Sequence, residues 1–195
     1  MKNNIQYLII HHSGGTDRNP KFDSSNLSFY DLEAEHAARF QFKSSLGFWT
    51  GYHYFIDKYG KLYQARADNE EGAHTKGVNL SSLGICLAGN FDVSLPNAEQ
   101  VKALTALLKQ KSEQYTVPLS NIVPHRKFAI KTCYGKNLYN EWAADLIRIP
   151  TPNPDPVTKA QALTAIQKAR ELIERIMLQL KINSIKVGSL GGKYK

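Results

Sequence analysis

Short apolar segments typical of β-strands alternate with amphipathic segments typical of helices along the first 148 residues. Residues 5–12 and 83–88 are short apolar runs that each end close to a glycine. Residues 97–115 place apolar side chains three and four positions apart, which predicts a helix with one buried face. This alternation predicts an α/β domain in which a central mixed β-sheet is flanked by helices.

Weaker signals complete the predicted order of elements. Residues 50–57 and 61–65 are strand-like and are joined by a glycine-containing turn, which predicts a β-hairpin. Ser28 is predicted to cap a helix that runs to about residue 39. A short strand at 122–124 and a last helix at 138–148 complete the predicted domain.

The chain after residue 149 has a different composition, and we predict three further segments there. Residues 150–157 contain four prolines at alternate positions, which predicts a stiff linker. Residues 158–183 repeat apolar residues at alternating spacings of four and three, which predicts an appended amphipathic helix. Residues 184–195 are basic and contain glycine, which predicts a flexible tail. The domain itself is therefore predicted to span residues 1–149.

The net charge of +8 is concentrated in this C-terminal region. The last 46 residues hold eight Lys/Arg against three Asp/Glu, whereas the first 149 residues carry a net charge of +3. The apolar seam of the predicted helix favours packing onto the domain or against a second copy of the chain, giving a homo-oligomer. Its basic charge also predicts contact with an anionic membrane or polymer. Nucleic-acid binding is disfavoured, because the basic residues gather in a tail rather than on an aromatic-bearing sheet face.

Four residues of metal-binding types lie at or after the predicted ends of two strands. His125 follows the predicted strand 122–124 and precedes Cys133 by eight positions, while His11 and His12 close the first strand. A catalytic zinc ion is typically held by three protein ligands, and water takes the fourth position. The pattern therefore predicts a catalytic zinc site. Because strand side chains alternate, only one of the two adjacent histidines can face the metal, and the spacing does not decide which.

Six short motifs occur in one order between residues 5 and 148. They are Ile9-Ile10-His11-His12-Ser13, Gly51-Tyr52-His53-Tyr54, Gly72-Ala73-His74, Asn79-Leu80-Ser81-Ser82-Leu83-Gly84-Ile85, Gly89-Asn90, and His125 with Cys133. In this order the motifs resemble the zinc-dependent N-acetylmuramoyl-L-alanine amidases of type 2, the family of phage lysozyme-type amidases and peptidoglycan recognition proteins. The resemblance implies that family's mixed-sheet fold, a Zn²⁺ cofactor, and peptidoglycan as the partner.

The resemblance also implies roles for individual positions. They are the zinc ligands His11, His125 and Cys133, the catalytic residues Tyr52 and Lys131, and the substrate-groove residues His74 and Asn79. His12 and His53 alternate away from the predicted site and are expected to be structural. The metal loop departs from the family twice, since Tyr134 stands where the family often has proline and Lys127 where it often has aspartate. Neither departure replaces a ligand.

These observations together predict a zinc amidase. By resemblance, it would hydrolyse the amide between the lactyl group of N-acetylmuramic acid and L-alanine in peptidoglycan, as an endolysin or a wall-remodelling enzyme does. The alternative is a recognition module that binds peptidoglycan without cutting it, and the complete ligand set favours the enzyme. No signal peptide is recognised in the first residues, so we expect synthesis in the cytoplasm and release to the cell wall by another route, such as a holin.

Overall fold

The computed structural model describes residues 4–15, 19–148 and 167. The predicted linker at 150–157, helix at 158–183 and tail at 184–195 lie outside the described residues, apart from Gln167. The strands are β1 Tyr7–His12, β2 Tyr54–Ile56, β3 Leu62–Gln64, β4 Ser82–Leu87 and β5 Ile122–Pro124. The α-helices are α1 Phe29–Ala37, α2 Ala98–Tyr115 and α3 Trp142–Arg148. No helix among the described residues is long and apolar enough to cross a membrane.

The five strands form one mixed sheet in the order β3-β2-β4-β1-β5. Strand β1 pairs in parallel with both β4 and β5, and β2 pairs in parallel with β4. The antiparallel hairpin of β2 and β3 forms one edge. Because the carboxyl ends of parallel strands meet at one edge of a sheet, the residues that follow β1 and β5 are brought side by side. The predicted fold class is confirmed.

The sheet is covered by helices on both faces. One face packs against α2 and α3 through a core that includes Leu8, Ile10, Leu83, Ile85, Leu104, Leu107, Leu108, Ala143 and Ala144. The opposite face packs against α1 through a smaller core of Phe29, Leu32, Phe55, Ala65, Cys86 and Ala88. Residues paired in register point to the same face, so His11 of β1 and its partner Cys86 of β4 share the α1 face.

Two of the helices begin at side-chain caps, and the cap predicted at Ser28 is confirmed. Ser28 caps α1 in a reciprocal pair with Asp31, and Asn97 caps α2 in a reciprocal pair with Gln100. Such a cap contributes about 1 kcal/mol because it satisfies backbone donors that the first helical turn leaves open.

Two predicted elements are shorter in the structure than in the sequence-based prediction. The strand predicted at 50–57 is reduced to Tyr54–Ile56, because the backbone at Thr50 and Gly51 bonds to side chains instead of a neighbouring strand. The helix predicted at 138–148 begins only at Trp142. Before it, the Leu138 carbonyl accepts a hydrogen bond from the Arg126 guanidinium rather than from a helical N–H.

Candidate metal centre

Three donor side chains converge at the carboxyl edge of the parallel strands. His11 is near the end of β1, His125 directly follows β5, and Cys133 lies in the loop beyond it. Their ligand atoms all lie within 4.8 Å of one another. Among the described residues, these three form the one group of side chains that could hold a metal ion. The Cys133 Sγ atom lies 3.7 Å from His11 Nδ1. The structure therefore brings together the three predicted ligands.

The donor set fits zinc by both chemistry and spacing. Two imidazoles and one thiolate form a typical catalytic ligand set, with bonds of about 2.0 Å to nitrogen and about 2.3 Å to sulfur. In a tetrahedral site such bonds place the donors about 3.3 to 3.8 Å apart. The separation of Cys133 and His11 lies in that range, so closing the set around an ion requires movements of at most about 1 Å.

The surroundings of the two histidines favour their neutral, metal-binding form. Burial lowers the pKa of His11 well below its ordinary value, and the neighbouring His74 and His125 act in the same direction. Burial also lowers the pKa of His125, with a further contribution from the Lys131 ammonium. Each ring therefore offers a lone pair at neutral pH.

The cysteine behaves differently, because burial disfavours its charged form. Burial raises the pKa of the Cys133 thiol to about 12, although Lys131 and Arg126 act in the opposite direction. A metal ion binds the thiolate and not the thiol, so ion binding has to displace this proton. The centre is thus electrically neutral at pH 7 and would gain its one negative charge together with a cation.

The Cys133 loop is held by Arg126, a role that the sequence analysis did not identify. The guanidinium donates to Asn140 Oδ1 and to the Gly135 carbonyl, each at 2.7 Å. The backbone N–H of Arg126 donates to the Cys133 carbonyl, also at 2.7 Å. Gly135 has a φ of +111°, and a Cβ there would lie 2.4 Å from the Cβ of Phe91. Backbone carbonyls therefore take the place of the anionic partner that Arg126 lacks at position 127.

Tyr52 lies against the first predicted ligand. Its ring centroid is 5.0 Å from that of His11 and 5.6 Å from that of His36. Burial raises the pKa of Tyr52 well above its ordinary value, and Cys86 and Cys133 add to the shift. The phenol consequently keeps its proton at neutral pH and can act as a hydrogen-bond donor.

The segment before Tyr52 is fixed by two residues of α1 that the sequence analysis did not assign to the site. Glu33 accepts the backbone N–H groups of Trp49 and Thr50, each at 2.7 Å. His36 is buried and its Nδ1 accepts the Gly51 N–H at 3.1 Å. A glutamate and a histidine three positions apart on one helix were the available signal, but only the tertiary structure shows what they bind.

Lys131 is exposed and lies in the loop two residues before Cys133. Its positive charge lowers the pKa values of His11, His125 and Cys133, so Lys131 lies within electrostatic range of the three donors. Tyr52 is thus in contact with one predicted ligand and Lys131 lies in the same loop as another, while their catalytic roles stay a prediction.

The two residues predicted to line the substrate groove lie behind His11. His74 Nδ1 is 3.1 Å from His11 Nε2, the ring nitrogen opposite the one that faces Cys133. Asn79 Oδ1 accepts the backbone N–H groups of His74 and Thr75, at 3.1 and 2.8 Å. Their assignment to substrate binding stays a prediction; in the structure His74 contacts His11, and Asn79 contacts the backbone of the His74 segment.

The remaining histidines of the motifs, His12 and His53, make hydrogen bonds with the backbone. His12 is buried on the other sheet face, where its Nδ1 accepts the Phe91 N–H at 2.9 Å. His53 is fully buried and bridges the Gly84 N–H and the Glu70 carbonyl, each at 3.0 Å. Alternation along β1 thus separates His12 from His11, whereas His53 precedes β2 and lies beside His74, with ring centroids 5.6 Å apart, so the prediction that it faces away from the site is wrong.

Comparison with known proteins identifies the group to which this arrangement is similar. The family model for N-acetylmuramoyl-L-alanine amidase matches residues 1–136. Peptidoglycan-recognition protein SC2 of Drosophila melanogaster is 28% identical over 144 residues, which cover 72% of this chain and 74% of that protein. The endolysin of Klebsiella phage KP32 is 34% identical over 98 residues, or 48% of this chain and 64% of that protein.

A solved structure agrees with the fold. The N-acetylmuramoyl-L-alanine amidase LysC from Clostridium intestinale URNW superposes with a TM-score of 0.59 at 24% sequence identity. The match covers 76% of this chain and 89% of that one. At this identity the likeness concerns the fold alone.

Proposed function

Since the chain belongs to the N-acetylmuramoyl-L-alanine amidase family, we propose that it is a zinc-dependent enzyme of peptidoglycan cleavage. The bond it would hydrolyse is the amide between the lactyl group of N-acetylmuramic acid and L-alanine of the stem peptide. The observation that carries the proposal is the convergence of His11, His125 and Cys133, with ligand atoms within 4.8 Å of one another.

The proposed ligands and their neighbours divide the work. His11, His125 and Cys133 would hold zinc, which when bound lowers the pKa of a coordinated water from about 15.7 to roughly 7. The Lys131 ammonium, two residues before Cys133 and within electrostatic range of the donors, is proposed to stabilise the negative charge that develops on the substrate carbonyl oxygen. A donor of this kind commonly lowers the barrier by about 3 kcal/mol.

Tyr52 is proposed to orient the reacting groups. Because its phenol stays protonated, it can donate a hydrogen bond to the attacking water or to the developing oxyanion. Its ring is packed on His11, and its chain segment is anchored to α1 through Glu33 and His36. The ring is therefore held beside His11 without depending on the metal, and the hydroxyl lies within hydrogen-bonding range of the buried Cys86 thiol.

Digestion of purified peptidoglycan tests the proposal directly. The zinc-loaded protein should release stem peptides with a free L-alanine amino group and leave the glycan strands intact, as identified by mass. A chelator should abolish the release and added zinc should restore it. Release that continues unchanged in the chelator would contradict the metal mechanism, and cleavage of glycosidic bonds would contradict the amidase assignment.

The second candidate is a recognition module that binds peptidoglycan without cutting it. It is favoured by the names of several relatives, including peptidoglycan-recognition protein SC2 of Drosophila melanogaster. The same digestion separates the two functions, because a recognition module would co-sediment with insoluble peptidoglycan while releasing no peptides. The assembled donors and Lys131 favour the enzyme.

A further inference from the structure

A row of polar side chains runs from the back of His11 through His74 to Ser82. His11 Nε2 lies 3.1 Å from His74 Nδ1, and His74 Nε2 lies 3.4 Å from Ser82 Oγ. The Ser82 hydroxyl donates to the carbonyl of Val78 at 2.7 Å. The row therefore ends on a backbone acceptor.

The proton positions along this row follow from its far end. A serine hydroxyl has one proton, and Ser82 donates that proton to Val78, so its oxygen acts as an acceptor toward His74. His74 then carries its proton on Nε2, and a neutral imidazole leaves the other nitrogen, Nδ1, as a lone pair. His11 must in turn donate from Nε2 to that lone pair.

This assignment leaves His11 Nδ1 without a proton, and Nδ1 is the atom that lies 3.7 Å from Cys133 Sγ. A histidine ligand commonly donates its second ring N–H to a neighbour, which fixes both tautomer and ring orientation. We propose that His74 and Ser82 are positioning residues that hold His11 in the Nε2–H tautomer, so that its Nδ1 lone pair faces the metal site. The inference rests on the proposed zinc centre.

Contacts outside this hydrogen-bond row also fix the position of the His74 side chain against the sheet. A Cβ at Gly84 of β4 would lie 2.5 Å from His74 Cγ, so the strand leaves room for the imidazole only because it carries glycine there. Asn79 fixes the backbone of the His74 segment from the other side. Thr75 Oγ1 lies 2.9 Å from His74 Nδ1 and 3.4 Å from His11 Nε2, so it can share the His11 proton.

Zinc affinity, measured by competition with a chelator, tests the proposal on two variants of one position. His74→Leu removes the acceptor for His11 and should weaken zinc binding by about 10- to 100-fold. His74→Asn keeps a polar group near the position of Nδ1, and its amide oxygen should restore most of the affinity. Equal affinity of the unchanged protein and His74→Leu would overturn this inference alone. Failure of the unchanged protein to bind zinc would overturn the proposed function and this inference together.

A serine pair provides a matched control. Ser82→Ala should weaken zinc binding by a smaller factor than His74→Leu, because it frees the His74 ring without removing it. Ser81→Ala should leave the affinity unchanged, although the Ser81 hydroxyl contacts the same Val78 carbonyl, at 3.4 Å. Equal effects of the two serine variants on zinc affinity would contradict the proposed role of Ser82 in positioning His74.

The tautomer itself can be read on the unchanged, metal-free protein, so the test does not depend on any variant folding. Long-range proton–nitrogen NMR correlations of the imidazole rings distinguish an Nε2–H from an Nδ1–H tautomer. We expect His11 in the Nε2–H form before zinc is added. Observation of the Nδ1–H form of His11 in the metal-free protein would overturn the inference.

Discussion

Two polar clusters lie on different parts of the same sheet and differ in how their charges are compensated. In the first, Asp68 accepts hydrogen bonds from Tyr54 at 2.5 Å and from Lys111 and Tyr115 at 2.7 Å each. In the second, His11, His125 and Cys133 bring lone pairs and a thiol toward one point. The first cluster neutralises its charge with its own residues, whereas the second carries no charge at neutral pH.

The electrostatic consequences differ accordingly. Burial alone would raise the pKa of Asp68, but the donors Lys111, Tyr54 and Tyr115 outweigh it and hold that pKa below its ordinary value. Burial lowers the pKa of His11 and raises that of Cys133, so both keep their neutral forms. Removal of one partner from a buried charge pair strongly destabilises a fold, whereas removal of a neutral donor weakens the binding of any ion that the donor would hold. Substitutions in the two clusters should therefore affect different measurements.

The largest effect is expected from removing the sulfur ligand. Cys133→Ala should weaken zinc binding beyond the roughly 100-fold that loss of an outer hydrogen bond can cause, and should reduce peptidoglycan hydrolysis to background. Zinc content after dialysis against a weak chelator measures the first effect. Cys86→Ala is the matched control, because that buried thiol lies on the same sheet face and should leave zinc bound. Loss of zinc from the Cys86 variant alone would reverse the assignment of the two cysteines.

Lys131→Ala should separate catalysis from metal binding. Because the ammonium is proposed to act on the developing oxyanion, turnover should fall by about 100- to 1,000-fold while zinc affinity stays unchanged. Initial rates on soluble peptidoglycan fragments and a zinc titration measure the two quantities. Lys127→Ala, an exposed lysine in the same loop, should retain most of the activity. A parallel loss of zinc and turnover in the Lys131 variant would show that the side chain supports the metal loop instead.

The closed cluster should respond in stability and not in metal binding. Lys111→Met leaves Asp68 buried without its cation and should lower the free energy of unfolding by about 3 kcal/mol. Urea denaturation measures this loss, and the zinc affinity should not change. Arg39→Met is the control, because it breaks an ion pair between two exposed side chains, Arg39 (63% exposed) and Glu35 (47% exposed). It should lower the free energy of unfolding by about 0.5 kcal/mol or less. Equal costs for the two variants would mean that the Asp68 cluster gains nothing from burial.

The sequence predicts one of these clusters far better than the other. Residue types and predicted strand ends identify His125 and Cys133 as candidate ligands. The resemblance carried by the order of the motifs selects His11 over His12. Asp68 and Lys111 are 43 positions apart and belong to no motif, so their pairing appears only when α2 packs on the sheet.

Side-chain contacts with the backbone set a similar limit on predicting the elements. The strand predicted at 50–57 is too long because Glu33 and His36 of α1 and the distant Arg66 bind its first residues. The role of Arg126 in the metal loop escapes prediction for the same reason, since its acceptors are carbonyls that any residue could supply. Local pattern thus predicts the elements and the donors, whereas the contacts that fix their geometry depend on the assembled fold.

The smallest expected effect is a pH dependence of the free energy of unfolding, to which His36 and Asp68 contribute in different pH ranges. Burial lowers the pKa of His36, which anchors the Tyr52 segment, to about 4, with Arg39 and Arg66 adding to the shift. An unfolded histidine has a pKa of about 6.5, so below that pH the unfolded chain binds the proton more readily than the folded one. The His36 contribution is therefore fully present above about pH 6.5 and is lost as the pH falls toward 4. Asp68, whose pKa is lowered, loses its contribution only below about pH 4.

Urea denaturation of the metal-free protein between about pH 4.5 and 7.5 tests this division. His36→Asn should reduce the slope of unfolding free energy against pH by up to about one proton per molecule, because one buried group no longer titrates. Part of the slope should remain, since burial also lowers the pKa of His12 to about 4 and lowers the pKa values of His11 and His125. Asp68→Asn should leave the slope in this range unchanged and flatten the profile only at lower pH. An unchanged slope in the His36 variant would show that this imidazole titrates alike in the folded and unfolded chain, and the pH dependence would then have to arise elsewhere.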